Sequence, residues 1–473
     1  MVQSPMMTPR HRFRMKNTRA SLIATLILVY LALVMIACTL SSEPQPTLVA
    51  RVTNTPPPTI GYQTLSPDQL PDSASTAAPS IDARLINLLN QVEPDRLFLH
   101  VNTLQGFSSR HVNSPYTING VGIGAAQNYI RQQFEQIRDQ SNGIFFVEEQ
   151  SFPVEWGGVS STATNVIGIL QGRETGAGII VIGAHYDSIS LAFEDGNAYA
   201  PGANDNASGV AALIEMARIM SRRQPRATVL FVAFSAEEIQ RVGSINFVNQ
   251  WVVGANLDVR AMINMDIIGS STGPDGSIND REIRLFSSDP NESEARQLAR
   301  AMQVIARRHA PDLAISLQPA IDRDGRYGDH ISFSEAGYPA VRFTEMNEDV
   351  SRAHNDRDTL DDIQALYLTR STQTILAVST ALAEGIQPPQ SIQLRDDGDG
   401  LRTLVWERRP EASGYLIALR AVGSISYNEI LTVNDTFVRW DGFVPSRFAG
   451  VAIAAIDSNG LVGPFSFEYA IVN

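Results

Sequence analysis

Three apolar runs in this chain stop abruptly at residues with strong chemistry. Residues 178–184 (GIIVIGA) end at His185-Tyr186-Asp187, and 227–235 (ATVLFVAFS) end at Ala236-Glu237-Glu238. Residues 260–265 (RAMINM) end at Asp266. Between the first two runs lies PGANDNASG, residues 201–209, with Asp205 at its centre. Late in the chain stands Arg352-Ala353-His354-Asn355-Asp356. These places offer His, Asp, Glu, Asp and His from separate loops. Imidazole and carboxylate are good zinc donors, and a catalytic zinc site keeps one position for water. Two ions about 3.5–4 Å apart require a shared carboxylate. Such a pair lowers the pKa of a water and polarises a carbonyl oxygen, and an adjacent carboxylate then takes the water's proton.

Taken singly, each residue has an ordinary explanation. His185 suits a satisfied core histidine, and Asp205 an Asx-turn or helix cap. Glu237-Glu238 suits a solvated helix start. Asp266 suits a buried turn acid, and His354 a surface position. Together these explanations require five coincidences, so the metal reading is preferred. Other residues go the other way. His309, at a helix end, is expected to favour the helix dipole. His100 and His111 receive no role, Asp329-His330 is either structural or supporting, and Met262 and Met265 are strand packing.

The elements that position these residues follow from periodicity. Runs 163–170, 178–184, 227–235, 260–267, 282–287 and 339–344 read as strands. Residues 83–103, 122–139, 207–222 (amphipathic), 291–309 (Asn N-cap) and 358–385 read as helices. Near-continuous apolar strands alternating with helices predict an α/β fold, with a mostly parallel central sheet flanked by helices on both faces. In such sheets ligands gather beyond the carboxyl ends of the strands, where these donors stand.

Composition narrows the class. The net charge of −13 argues against a nucleic-acid partner. The one cysteine, Cys38, excludes an intrachain disulfide and a thiolate zinc site, leaving the His, Asp and Glu donors.

The segments IIVIGAHYDS, PGANDNASGVAALIEMAR, VLFVAFSAEEIQRVGSINFV, INMDIIGS, GDHISFSEAGYPAVRFTE and AHNDRDTL resemble the zinc aminopeptidases of peptidase family M28, in order, over roughly residues 85–385. The resemblance implies two zinc ions, with His185 and Asp266 on different ions and Asp205 bridging them. Glu238 and His354 would complete the coordination, Glu237 would be the general base, and Asp187 would orient an imidazole. It implies an α/β fold whose central sheet is mixed, and hydrolysis of peptides with a free N-terminus. Carboxypeptidase, glutaminyl cyclase and non-catalytic binding functions on the same fold are the alternatives. Many members carry Tyr where this chain has Ala353, which leaves the oxyanion-stabilising role to Tyr327, His330 or the metals.

The flanks complete a four-part plan. Residues 1–38 read as a signal peptide, with five Lys or Arg in 10–19, an apolar run 21–37 and a lipobox-like Met35-Ile36-Ala37-Cys38. The apolar run is slightly short for a membrane span, so a lipid on Cys38 is the preferred anchor over an uncleaved signal. Either way the body is expected outside the cytoplasm, touching membrane only through that end. Residues 39–82 are Ser/Thr/Pro-rich and read as a flexible linker, 83–386 as the M28-like domain. Residues 387–473 show strand runs LRTLVWE, GYLIALR, FVRW and GVAIAAIDSNG. With Trp406 and Gly414-Tyr415 they resemble a fibronectin type III sandwich, a small all-β domain.

Overall fold

The computed structural model describes residues 65–66, 69–75, 82–117 and 120–472. The expected signal, the lipobox cysteine and most of the linker lie outside the described residues. No helix among the described residues is long and apolar enough to cross a membrane.

Three helices open the first domain: α1 (Ala83–Leu89), α2 (Pro94–Gln105) and α3 (Gly122–Gln140). The single helix expected over 83–103 is thus two, because Pro94 cannot continue a helix but suits a first turn. Strands β1 (Phe145–Trp156), β2 (Val159–Leu170) and β3 (Ile179–His185) follow, then α4 (Ser208–Met220) and β4 (Thr228–Phe234). The short α5 (Val242–Phe247), β5 (Val259–Met265), β6 (Glu282–Ser287), α6 (Glu294–His309), β7 (Ala314–Leu317), α7 (His330–Glu335), β8 (Ala340–Glu345) and α8 (Ala365–Glu384) complete the domain.

The eight strands form one sheet in the order β1-β2-β4-β3-β5-β8-β6-β7. Its centre, β4-β3-β5-β8, is parallel, while β1-β2, β2-β4 and β8-β6 are antiparallel. The sheet is therefore mixed, as expected. Because β3, β4 and β5 run in one direction, their carboxyl ends share an edge. These strands are buried on both faces, which is why their sequences are continuously apolar.

Several expectations shift. Helix α4 is buried on every face except at Arg218, so it is a core helix and not an amphipathic one. Helix α6 is capped by Ser293, whose hydroxyl accepts from Arg296 N, and not by Asn291. Helix α8 starts at Ala365 and not at 358, because residues 358–364 are engaged elsewhere. Asp358 accepts two backbone N–H groups, and Gln364 accepts from Ser271 N.

The C-terminal part holds β9 (Gln393–Gly398), β10 (Leu401–Val405), β11 (Gly414–Ala421), β12 (Glu429–Val433), β13 (Phe437–Trp440), β14 (Phe448–Ile456), β15 (Val462–Phe465) and β16 (Tyr469–Ala470). They form sheets β13-β10-β9 and β12-β11-β14-β15, with β16 on β14. Leu404, Trp406, Tyr415, Ile417, Val451 and Ile453 fill the space between the sheets. The alternate residues Leu416, Ala418, Ala452, Ala454 and Ile456 join the core of the first domain. Strands β11 and β14 are thus buried on both faces. Gly385 and Gly463 touch backbone to backbone at this junction: a Cβ on Gly385 would lie 2.3 Å from Gly463 Cα. A buried ion cluster spans it as well, with Arg300 3.3 Å and Arg420 2.6 Å from Glu468.

Part of the linker is structured. Leu65 is buried in the sandwich core, and Trp440 Nε1 donates to the Gln69 carbonyl. Ser75 and Thr432 exchange two backbone hydrogen bonds, extending β12 at its edge. Residues 65–66 and 69–75 therefore strap the sandwich and are not part of a free tether.

Candidate metal centre

The shared carboxyl edge of β3, β4 and β5 delivers the donors as the spacing predicted. His185 ends β3, Glu237 and Glu238 follow β4, and Asp266 follows β5. Asp205 lies in the irregular turn Ala203–Ala207 before α4, and its peptide bond to Asn206 is cis. His354 comes from the loop between β8 and α8.

Two donor groups share Asp205. His185 Nε2 lies 3.2 Å from Asp205 Oδ1 and 3.5 Å from Asp266 Oδ1. His354 Nε2 lies 3.0 Å from Glu238 Oε2 and 3.5 Å from Asp205 Oδ2. The donors of His185, Asp205 and Asp266 lie within 4.8 Å of one another, as do those of Asp205, Glu238 and His354. One expectation is corrected here: His185 and Asp266 fall in the same group, because the one imidazole nitrogen faces both Asp205 Oδ1 and Asp266 Oδ1. The two groups fit two ions with Asp205 between them. Glu238 Oε1 is buried with no hydrogen-bond partner, an orphaned acceptor of the kind a cation satisfies. Glu237 Oε2 lies 4.0 Å from His185 Nε2, and Glu237 forms a third close group with His185 and Glu238, one that does not include the shared Asp205.

Buried partners hold the donors in place. Asp187 accepts the backbone N–H groups of Glu237 and Glu238, each at 3.1 Å, and its Oδ1 is 3.6 Å from His185 Nδ1. Its backbone carbonyl lies 3.2 Å from the same Nδ1, which directs Nε2 to the metal side. Asp187 thus aligns the adjacent glutamates as well as the imidazole. Asp358 accepts from Asn204 N and Asp205 N at 2.7 and 2.9 Å. Arg342 binds the second oxygen of Asp266 at 2.9 Å and Asp322 at 2.8 Å. Arg110, fully buried, donates to the carbonyls of Tyr186, Leu104, Pro201 and Gly202, tying the His185 loop to the Asp205 turn.

The electrostatics are those of crowded, dry carboxylates. Burial pushes Glu237 well above the usual carboxylate range, against the pull of His185. Burial also raises Glu238, with Asp205 adding to it. Burial opposes ionisation of Asp205 too, but hydrogen bonds from His185 and His354 hold it well below the usual range. The charge of Glu238 lifts His354 to about 11.

Sequence reasoning missed Arg110, Asp358 and His111. His111 Nε2 lies 3.0 Å from the Phe193 carbonyl, and the Phe193 ring meets His354 edge-on at 6.4 Å. None of these residues ends an apolar run, so no local signal marks them. His309 is corrected: burial lowers it to about 4, so it is neutral near pH 7 and adds no charge to the helix end. His330 is corrected as an oxyanion candidate. It is buried with Nε2 on the Ile321 carbonyl at 2.8 Å, beside Asp322, and does not line the cleft. Tyr327, 64% exposed, does line it. His100 pairs with the Tyr129 hydroxyl, and Met262 and Met265 are packed in the sheet.

Comparison with known proteins points to one peptidase family. The sequence model of peptidase family M28 matches residues 165–379. A probable zinc metalloprotease of Pyricularia oryzae is 34% identical over 426 residues, covering 81% of this chain and 82% of that protein. Another, from Phaeosphaeria nodorum, is 30% identical over 407 residues, covering 76% and 81%. Among solved structures, the LapA aminopeptidase of Legionella pneumophila superposes with a TM-score of 0.50 at 20% identity, covering 64% of this chain and 76% of that one. That last likeness concerns the fold alone.

Proposed function

Since the chain belongs to peptidase family M28 and to its zinc metallopeptidases, we propose that it is a dinuclear aminopeptidase acting outside the cytoplasm. The observation that carries this reading is the division of Asp205: each of its oxygens faces a different imidazole. His185, Asp205 and Asp266 would hold one zinc, and Asp205, Glu238 and His354 the other. Bound there, zinc supplies Lewis acidity toward the scissile carbonyl and lowers the pKa of a water.

The chain's own residues do the rest. Glu237 is buried, outside both donor groups and beside them, so it takes the proton of the attacking water. Glu237 then returns that proton to the leaving amine as the C–N bond breaks. Asp187 holds Glu237 and Glu238 in register, so that one works as base while the other binds metal. The cleft, about 550 Å³, admits a chain end. The aminopeptidase likeness of the fold and the basic-then-apolar start of the chain support N-terminal specificity and export, with lipidated Cys38 as anchor.

Glu237→Gln tests the reading. The variant is expected to keep its zinc and lose turnover of free-N-terminal peptides by about 10³-fold or more. Near-normal turnover would end the assignment of the base. Equal hydrolysis of N-acetylated and free peptides by the wild type would end the N-terminal specificity.

A further inference from the structure

We propose that this cleft selects peptides bearing a carboxylate next to the scissile bond, with Arg326 as its counter-ion. The proposal rests on the peptidase reading of the cleft and names its substrate class. The four carboxylates that line the cleft, Asp205, Glu237, Glu238 and Asp266, all belong to the metal centre. Four arginines line it as well, and three of them are engaged. Arg342 binds Asp266 and Asp322. Arg323 pairs with Glu348 and Asp322. Arg241 lies 6.0 Å over the Tyr327 ring and 3.4 Å from Glu335. Arg326 is different. It is half-buried on the β7–α7 loop beside Tyr327, and its guanidinium has no hydrogen bond or ion pair among the described residues.

A half-buried guanidinium without a partner among the described residues, lining a cleft whose acids are all committed, is a carboxylate receptor by charge and by its planar donor fork. A lysine or arginine side chain entering the same cleft meets cations on that wall. The carboxylate has three sources: the side chain of the first residue, that of the second, or the C-terminus of a dipeptide.

The test uses the full-length zinc-loaded protein and three substrate pairs. These are Glu against Gln at position one, Glu against Gln at position two, and a free against an amidated dipeptide. Wild-type turnover is read as kcat/KM. Binding is read by calorimetry on zinc-loaded Glu237→Gln, where no hydrolysis intervenes. In at least one pair the carboxylate member is expected to be preferred by about tenfold or more. That preference collapses to about twofold or less in Arg326→Gln and partly returns in Arg326→Lys. No preference in any pair, or one that survives Arg326→Gln with zinc content intact, overturns the proposal. Brisk hydrolysis of neutral peptides without such a preference defeats the carboxylate site and leaves the aminopeptidase reading standing. Binding that depends on Arg326, with no hydrolysis by the wild type, does the reverse.

Discussion

Asp205 is the residue on which both donor groups depend. Its Oδ1 faces His185 and Oδ2 faces His354, so removing the side chain takes one donor from each group. Asp205→Ala is expected to lower the zinc content well below two per chain and to abolish activity, as metal analysis would read. Two tightly bound zinc ions in that variant would refute the bridge. Asp187 acts one step back. Asp187→Ala leaves two buried N–H groups without an acceptor, and a loss of about 10–100-fold in zinc affinity or activity is expected. The meeting of the five candidate donors and Glu237 at one edge was legible in the sequence, because each stands where an apolar run stops or in a loop that interrupts the pattern. Their division into groups around Asp205 was not legible. Which oxygen of Asp205 an imidazole faces depends on side-chain directions that linear order does not carry.

The parallel centre of the sheet turns that linear pattern into a site, since only parallel neighbours release their ends at one edge. Its strands were easy to read because they are buried on both faces. Strand β1 was overlooked for the opposite reason. Its burial alternates irregularly, it carries Glu148, Glu149 and Pro153, and it sits at the sheet edge, where proline is tolerated. The ties between loops were equally hidden. Arg110 lies far upstream of every donor, yet it fastens the His185 loop to the Asp205 turn through backbone carbonyls. Arg110→Met keeps the bulk and removes those donors. It is expected to cost about 3 kcal/mol or more in chemical denaturation and to weaken zinc binding. Unchanged stability with unchanged zinc affinity would show that the tie is dispensable.

At the scale of the molecule, the C-terminal sandwich was legible as strands but not as a partner in the core. Its continuous apolar strands β11 and β14 serve two interfaces at once. Truncation after Gly385 is therefore expected to give an insoluble or strongly destabilised first domain, and a soluble fragment of native melting temperature would contradict this. Stability should also fall in acid. Burial lowers His100, His309 and His330 from 6.5 to about 4 in the folded chain. The unfolded chain binds more protons between those values, so stability drops as pH falls from about 6.5 to 4 and levels below. A flat stability profile across that window would count against their burial. A last consequence concerns the spread of the donors, from residue 185 to residue 354. An unfolded chain holds them too far apart to chelate, so zinc would bind the finished fold and act as a cross-link across much of it. The melting temperature should then climb with the logarithm of free zinc and fall in chelator. Zinc supply would thereby set how long the protein survives as well as how fast it works.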